Sequence, residues 1–288
     1  MSVFYVTDLD GTLLNDNAAL SEFTRSELKA LLADGLPFSV ASARSVVAIR
    51  KLLAGLPITL PVVESNGAFV SDLATGRHEI INAHAPDVAE GVFEILTRFP
   101  CAPLLFTFDG REDRVYYDEL TNDGMRWYVD DRLANQDSRL RRLANLSVAL
   151  RDQVTCFTVI AESELVVDIE TAVREVVGRD VDMNIMENRY SPGWYWLYIA
   201  DRRATKAEAV KALMDCYGLR DASLVAFGDE LNDLPLFQVA DQAIAVANAS
   251  PDVKRLATQI IDTNEADSVV KYIRAHWTGE VGRRLQPH

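Results

Sequence analysis

Apolar and polar positions alternate along this chain in long, well-separated blocks. Val3 to Thr7 is an apolar, β-rich run that stops abruptly at Asp8-Leu9-Asp10-Gly11-Thr12, the pattern of a buried strand followed by a turn exposing polar groups. Leu28, Leu31 and Leu32 then share one helical stripe, with Ser21 as the start signal and Asp34-Gly35 before Pro37 as the stop. Phe38 to Ala41 predicts a second strand ending at Ser42-Ala43-Arg44. Val46, Val47, Ile49, Leu52 and Leu53 predict a helix closing near Gly55 and Pro57. Strand, helix, strand, helix implies a parallel sheet. Pro61-Val62-Val63 reads as a third strand, and Phe69, Val70, Ile80 and Ile81, punctuated by Asn66-Gly67 and Thr75-Gly76, as a hairpin leaving that sheet.

From about Pro86 to Arg189 the rhythm changes. Helical stretches such as Val88 to Arg98 and Glu164 to Val177 are interspersed with short strands such as Leu104 to Phe108 and Cys156 to Ile160, which predicts an inserted α+β domain. Its charge clusters, Asp130-Asp131 and Arg139 to Arg142, read as solvated faces. The βα alternation resumes with a helix through Lys206 to Cys216 and a strand at Leu224 to Phe227, followed at once by Gly228-Asp229-Glu230-Leu231-Asn232-Asp233. Further strands are expected at Ala243 to Ala247 and Gln259 to Asp262, a helix opening at Pro251 between them, and a last helix near Ser268 to Trp277. Gly279 to His288 should fray. The expected architecture is an α/β core of residues 1–85 and 190–288, with a doubly wound, mostly parallel sheet, interrupted by an α+β insert of residues 86–189.

At 288 residues the chain is long enough for these two domains, and its net charge of −14 repels polyanions, so nucleic acid and anionic membranes are not expected partners. A phosphorylated metabolite would have to be attracted locally, by a metal, a lysine and backbone N–H groups. Cys101, Cys156 and Cys216 are widely spaced and form no metal or redox motif, so buried reduced thiols are expected. The N-terminus lacks a signal pattern and no apolar run reaches membrane-spanning length, so a cytoplasmic protein is the expectation.

Two aspartates separated by one residue on a strand-ending turn can divide the work of a group transfer. Asp8 would be the nucleophile, and Asp10 would protonate the leaving alkoxide and later activate water. Gly11 permits the sharp turn and Thr12 can pin it by side-chain hydrogen bonding. Alone, D-x-D-G is also a fragment of a calcium loop or a plain acidic turn. Asp229 and Asp233 follow another parallel strand and so should approach the same sheet edge as Asp8. Four carboxylates there require a cation, and Mg²⁺, which takes a few carboxylate oxygens and bridges to phosphate, suits the site. Lys206 at a helix start, and Ser42 with the N–H of Ala43 at a strand-to-helix turn, could cradle a phosphoryl group. Isolated, they would read as a surface lysine and a helix cap.

Taken together these residues resemble the haloacid dehalogenase-like hydrolase superfamily, in particular its Cof-type sugar-phosphatase branch with a large type-C2 cap. Asp8-Leu9-Asp10-Gly11-Thr12 is similar to the family's first motif, Ser42 to its second, Lys206 to its third, and Gly228-Asp229 through Asn232-Asp233 to its fourth. The resemblance covers nearly the whole chain. It implies that Asp8 is nucleophile and metal ligand, that Asp10 is acid/base and lends its carbonyl to the metal, and that Asp229 is the remaining acidic ligand, with Asp233 supporting the metal shell. Ser42, Lys206 and Asn232, with the N–H groups of Leu9 and Ala43, would hold the phosphoryl group. It makes 86–189 a cap that excludes water and selects the leaving group. The aromatic run Trp194 to Tyr198 would then pack the domain junction or line the substrate cleft. Ser42-Ala43-Arg44 replaces the usual Thr-Gly-Arg, Ala207 a frequent glycine, and Ala247-Asn248 the usual Gly-Asn; neither Arg44 nor Asn248 is assigned a catalytic role.

The expected activity is Mg²⁺-dependent hydrolysis of a small phosphorylated metabolite, of the sugar-phosphate kind, by a monomer or small homo-oligomer. Its rivals are a phosphomutase of the same fold, a receiver-like phospho-acceptor module, a non-catalytic phospho-ligand-binding relative, and a dehalogenase. The long insert and Asp10 weigh against a receiver, and halide departure needs no acid such as Asp10.

Overall fold

The computed structural model describes residues 2–188 and 191–279. Its chain forms two compact units, one from the segments before Asn82 and after Ala204, the other from Asn82–Ala204. The boundaries read from the sequence fall inside these limits on the N-terminal side and short of them on the return. The reason is the strand Tyr195–Asp201, which is hydrogen-bonded to Gln153–Ala161 and Val181–Glu187 and so belongs to the insert's sheet. Of the expected tail Gly279 to His288, all but Gly279 lies outside the described residues.

In the first unit a five-stranded parallel sheet runs in the order Gln259–Ile260, Gln242–Ala245, Ser223–Gly228, Val3–Thr7, Phe38–Val40. Val3–Thr7 is an interior strand and buried along almost its whole length, which is why it reads as a continuous apolar run instead of an alternating one. Phe4, Tyr5, Phe38 and Phe227 are among the fully buried rings of this core. Each large apolar side chain so buried contributes about 1.5–3 kcal/mol. Thr7 is in register with Phe227 on one side and Val40 on the other. Asp8, Ser42 and Asp229 therefore leave the sheet at one edge, at Val3–Thr7 and the strands on either side of it, where the chain's direction of winding reverses.

The predicted third strand, Val62–Glu64, touches this sheet through a parallel Ala41–Val63 bridge. Its main partner is Phe69–Ser71, which pairs in turn with His78–Ile81 in a separate three-stranded antiparallel sheet.

The insert is built on a six-stranded mixed sheet. Successive side chains alternate between its faces: Leu105, Phe157, Val159, Leu197 and Ile199 pack with the helices Pro86–Leu96 and Ser163–Val177, while Leu104 and Ile160 pack with Met125, Tyr128 and Val129 of Asp123–Ala134. Trp194 and Trp196 join that second cluster, and Trp196 meets Tyr128 edge-on at 5.4 Å. The aromatic run thus packs the insert's own interior. Arg141 and Arg142 are exposed as expected, but Arg139 is half-buried against Asp137 and Leu140 is buried. Cys101 is buried and Cys156 half-buried, both thiols pushed up to about 11 by burial. Cys216 departs from expectation: it ends its helix on the exposed side. Among the described residues no helix is long and apolar enough to cross a membrane.

Candidate active site

At the shared sheet edge, Asp8 is buried and its Oδ1 accepts a 2.6 Å hydrogen bond from Lys206 Nζ. The same ammonium donates at 2.6 Å to Asp233 Oδ1, and both Lys206 and Asp233 are fully enclosed. Lys206 is the first residue of the helix Lys206–Cys216, capped by Thr205, whose hydroxyl accepts the Glu208 N–H. An ammonium at a helix N-terminus is opposed by the helix dipole, so it is the two carboxylates that hold it there. Burial alone would lower the lysine's pKa. Asp233 and Asp8 more than reverse this, and the net direction is upward, keeping it charged. Removing one member of such a buried pair typically costs about 3–5 kcal/mol, because the other charge stays behind.

Asp233 closes the short turn after Ser223–Gly228, its Oδ2 accepting the N–H groups of Asp229 and Glu230 at 3.0 and 3.1 Å. Asp229, half-buried, accepts a 2.7 Å bond from the Thr12 hydroxyl. Thr12 therefore fastens the first motif to the fourth across the sheet edge instead of bonding within its own turn. Gly11 lies between them at φ +71°, and a Cβ there would sit 2.4 Å from Asp229 Oδ2, so both conformation and space call for glycine. The Gly11 carbonyl accepts a 2.7 Å bond from Asn248, whose own Oδ1 takes the Asn264 N–H at 3.0 Å.

Asp10 is not drawn into this group. Its side chain is half-exposed and bound in a fork by Arg44, Nε to Oδ2 at 2.7 Å and Nη2 to Oδ1 at 2.6 Å. Ser42 is buried: its N–H donates to Val63 O, its carbonyl accepts the Asn66 N–H, and its hydroxyl accepts the Arg44 N–H at 3.2 Å. Ala43 is exposed, and Leu9 is buried at the start of the first turn. Asn232 is tied to Asn66, donating from Nδ2 to its Oδ1 at 3.0 Å.

One carboxylate oxygen from each of Asp8, Asp229 and Asp233 lies within 4.8 Å of the others. The donor set is all hard oxygen, one ammonium is bonded to two of the three groups, and the third is held by a neutral hydroxyl. Burial and the neighbouring acids push Asp8 up to about 7, against the opposing Lys206, and burial pushes Asp229 up to about 6. The cluster thus carries more negative charge than its protein partners balance, which fits a divalent cation. Arg44, Asn66 and Asn248 contribute to this edge without having been singled out as site residues. The bridges they make join segments far apart in the sequence, which no local pattern exposes.

The family model for haloacid dehalogenase-like hydrolases matches residues 5–273. The chain is 26% identical over 277 residues to a 5-amino-6-(5-phospho-D-ribitylamino)uracil phosphatase of Bacillus subtilis, covering 94% of this chain and 96% of that one. Its fold is similar to that of a haloacid dehalogenase-like hydrolase from Bacteroides thetaiotaomicron, with a TM-score of 0.74 at 21% identity over 96% of this chain and 100% of the other. It is also similar to a sugar phosphatase of HAD subclass IIB, with a TM-score of 0.68 at 17% identity over 95% and 98%. A parallel core sheet with its acids at one edge, an inserted mixed sheet and a match across nearly the whole sequence agree: the chain belongs to the haloacid dehalogenase-like hydrolase family, as a Cof-type phosphatase with a cap domain.

Proposed function

We propose that this phosphatase hydrolyses the phosphomonoester of a small metabolite of the sugar-phosphate class through an aspartyl-phosphate on Asp8. The observation that carries the reading is the setting of Asp8, a carboxylate buried at the sheet edge, bonded to a buried ammonium and gathered with two further acids. An Asp8 oxygen attacks phosphorus and the ester P–O bond breaks. The departing alkoxide takes the proton of Asp10. Water then attacks the phosphorus of the acyl phosphate, gives its proton to Asp10, and frees Asp8 and inorganic phosphate. Lys206, the Ser42 hydroxyl, the N–H groups of Leu9 and Ala43, and the Asn232 amide hold the phosphoryl oxygens and balance their charge.

Asp8, Asp229 and the Asp10 carbonyl, supported by Asp233, would hold Mg²⁺, which when bound neutralises the nucleophile and the phosphoryl oxygens. The residues of 82–204 would serve as the cap that selects the leaving group. The related B. subtilis enzyme is named for a phosphate on a ribityl chain, close in chemistry to a sugar phosphate, and this supports the substrate class. The test is phosphate release from p-nitrophenyl phosphate and from a panel of phosphorylated sugars, sugar alcohols and nucleotides, with Mg²⁺ or with EDTA. Mg²⁺-dependent release, strongest among the sugar and sugar-alcohol phosphates, is expected. Equal release in EDTA, or none from any ester, would sink the reading.

A further inference from the structure

The corner Glu64–Gly67 touches three of the elements that carry the phosphate-binding groups, though it supplies none of those groups itself. Glu64 is wholly buried, and its carboxylate accepts the N–H of Val46, the first residue of the helix Val46–Leu52, and the hydroxyl of Ser71. His78 Nδ1 stands 3.2 Å from Glu64 Oε1 and 2.7 Å from Ser71 Oγ, its ring stacked on Phe69 at 4.0 Å. The next residues reach the cradle directly. Ser65 N–H donates to the Arg44 carbonyl and Asn66 N–H to the Ser42 carbonyl, each at 3.0 Å, while Asn66 Oδ1 holds the Asn232 amide. Gly67 lies so close to the cap of the Lys206 helix that an added Cβ would sit 2.3 Å from the Thr205 carbonyl oxygen.

This corner is held in an unfavourable shape. Ser65, Asn66 and Gly67 have φ of +49°, +57° and +102° in succession. Left-handed backbone at residues with a Cβ costs roughly 1–3 kcal/mol each and persists where the surroundings over-determine it. The surroundings here are Glu64, whose carboxylate locks the first turn of the helix Val46–Leu52 onto the strand Val62–Glu64, and the bonds to Ser42 and Arg44. A carboxylate enclosed in the core is costly for stability alone, since burying a charge is favourable only when every lone pair finds a partner.

We propose that Glu64 is a positioning residue for phosphoryl binding: through Val46, Ser71 and the strained 65–67 corner it sets the Ser42 hydroxyl, the Ala43 N–H and the Asn232 amide. The proposal rests on the phosphatase reading above. Its test is the inhibition constant of inorganic phosphate against Mg²⁺-dependent p-nitrophenyl phosphate hydrolysis by the full chain, for wild type, Glu64→Gln and Ser71→Ala. Glu64→Gln should weaken phosphate inhibition about tenfold, equivalent to about 1.4 kcal/mol. The Mg²⁺ concentration for half-activation should stay within about twofold, because Asp8, Asp229 and Asp233 are untouched. Ser71→Ala removes one bond to the same carboxylate and should shift phosphate inhibition about two- to threefold in the same direction, which carries the test if Glu64→Gln does not fold. An unchanged phosphate inhibition constant, with or without lost thermal stability, would reduce Glu64 to a helix cap and overturn the proposal while leaving the phosphatase reading intact. A wild-type protein that releases no phosphate from any ester overturns both.

Discussion

Asp8 and Asp10 are separated by one residue in sequence and sit in opposite environments. Asp8 directly follows the interior strand Val3–Thr7, its side chain 10% exposed and bonded to a fully buried lysine; Asp10 lies in the turn, its side chain 51% exposed and gripped by the half-buried Arg44. The two cations differ as much as the acids. A lysine ammonium is a compact charge that two carboxylates can share, whereas a guanidinium is a planar fork that fixes the orientation of one. The contrast supports the proposed division of labour. A desolvated carboxylate beside an ammonium and two further acids would suit attack and a shared metal. An oriented carboxylate with access to water would suit giving and taking protons.

Substitution at the two aspartates should break this comparison most sharply. Asp8→Asn removes the attacking oxygen's charge and should lower kcat on p-nitrophenyl phosphate by about a thousandfold or more, as with other residues that act as a unit in covalent catalysis. Residual turnover near wild type would remove Asp8 from the nucleophile's role. Asp10→Asn keeps the backbone carbonyl and should lower kcat by about 10²–10³, within the range of general acid–base catalysis, with the Mg²⁺ requirement unchanged. If the Mg²⁺ concentration for half-activation rose as well, the Asp10 side chain would belong with the metal group and the contrast would fail.

The buried side of the comparison was legible in the sequence, and much of the exposed side was not. Val3 to Thr7 ending at Asp8, and Leu224 to Phe227 ending before Asp229, are continuous apolar runs that announce buried parallel strands. Parallel strands of one sheet deliver their C-terminal residues to one edge, so the gathering of Asp8, Asp229 and Asp233 could be expected from pattern alone, whereas Lys206 opens a helix that no strand of this sheet precedes and its place there followed from the family resemblance. The Arg44 fork on Asp10, the Thr12 bond to Asp229 and the Asn232–Asn66 bridge depend on rotamers and loop geometry, which periodicity does not encode. The return from the insert was misplaced for a related reason. Trp194 to Asp201 has the apolar character of a core strand, and only its pairing with Gln153–Ala161 and Val181–Glu187 assigns it to the insert's sheet.

Arg44→Ala sharpens the exposed side alone. It leaves the buried group unaltered but frees the Asp10 carboxylate to rotate, and kcat should fall about tenfold, the loss expected from misplacing a proton-transfer group. Arg44→Lys restores the charge without the two-point grip and should recover only part of the rate. Full recovery by lysine would mean that charge, not orientation, is what Asp10 receives from its partner.

The smallest expected effect concerns the buried side and is a shift in thermal stability. Burial and neighbouring acids push Asp8 up to about 7, and burial pushes Asp229 up to about 6, from an ordinary carboxylate value of 3.8. Between about pH 4 and pH 7 the metal-free folded protein therefore binds protons at these groups more tightly than the unfolded chain does, and the two groups withdraw stability as the pH rises through that window. A divalent cation binds the deprotonated carboxylates and competes with those protons. The rise in Tm on adding saturating Mg²⁺ should then be larger at pH 8 than at pH 5. At a concentration one hundred times its Kd the ion would stabilise by about 2.7 kcal/mol, and each kcal/mol moves Tm by about 2–4 °C in a chain of this size class. Asp229→Asn should abolish most of the difference between the two pH values, whereas Asp10→Asn should preserve it, since the Asp10 side chain stands outside the buried group. An Mg²⁺ shift that is equal at both pH values would mean that the ion does not meet these carboxylates, and the buried side of the comparison would need a different explanation for its excess of negative charge.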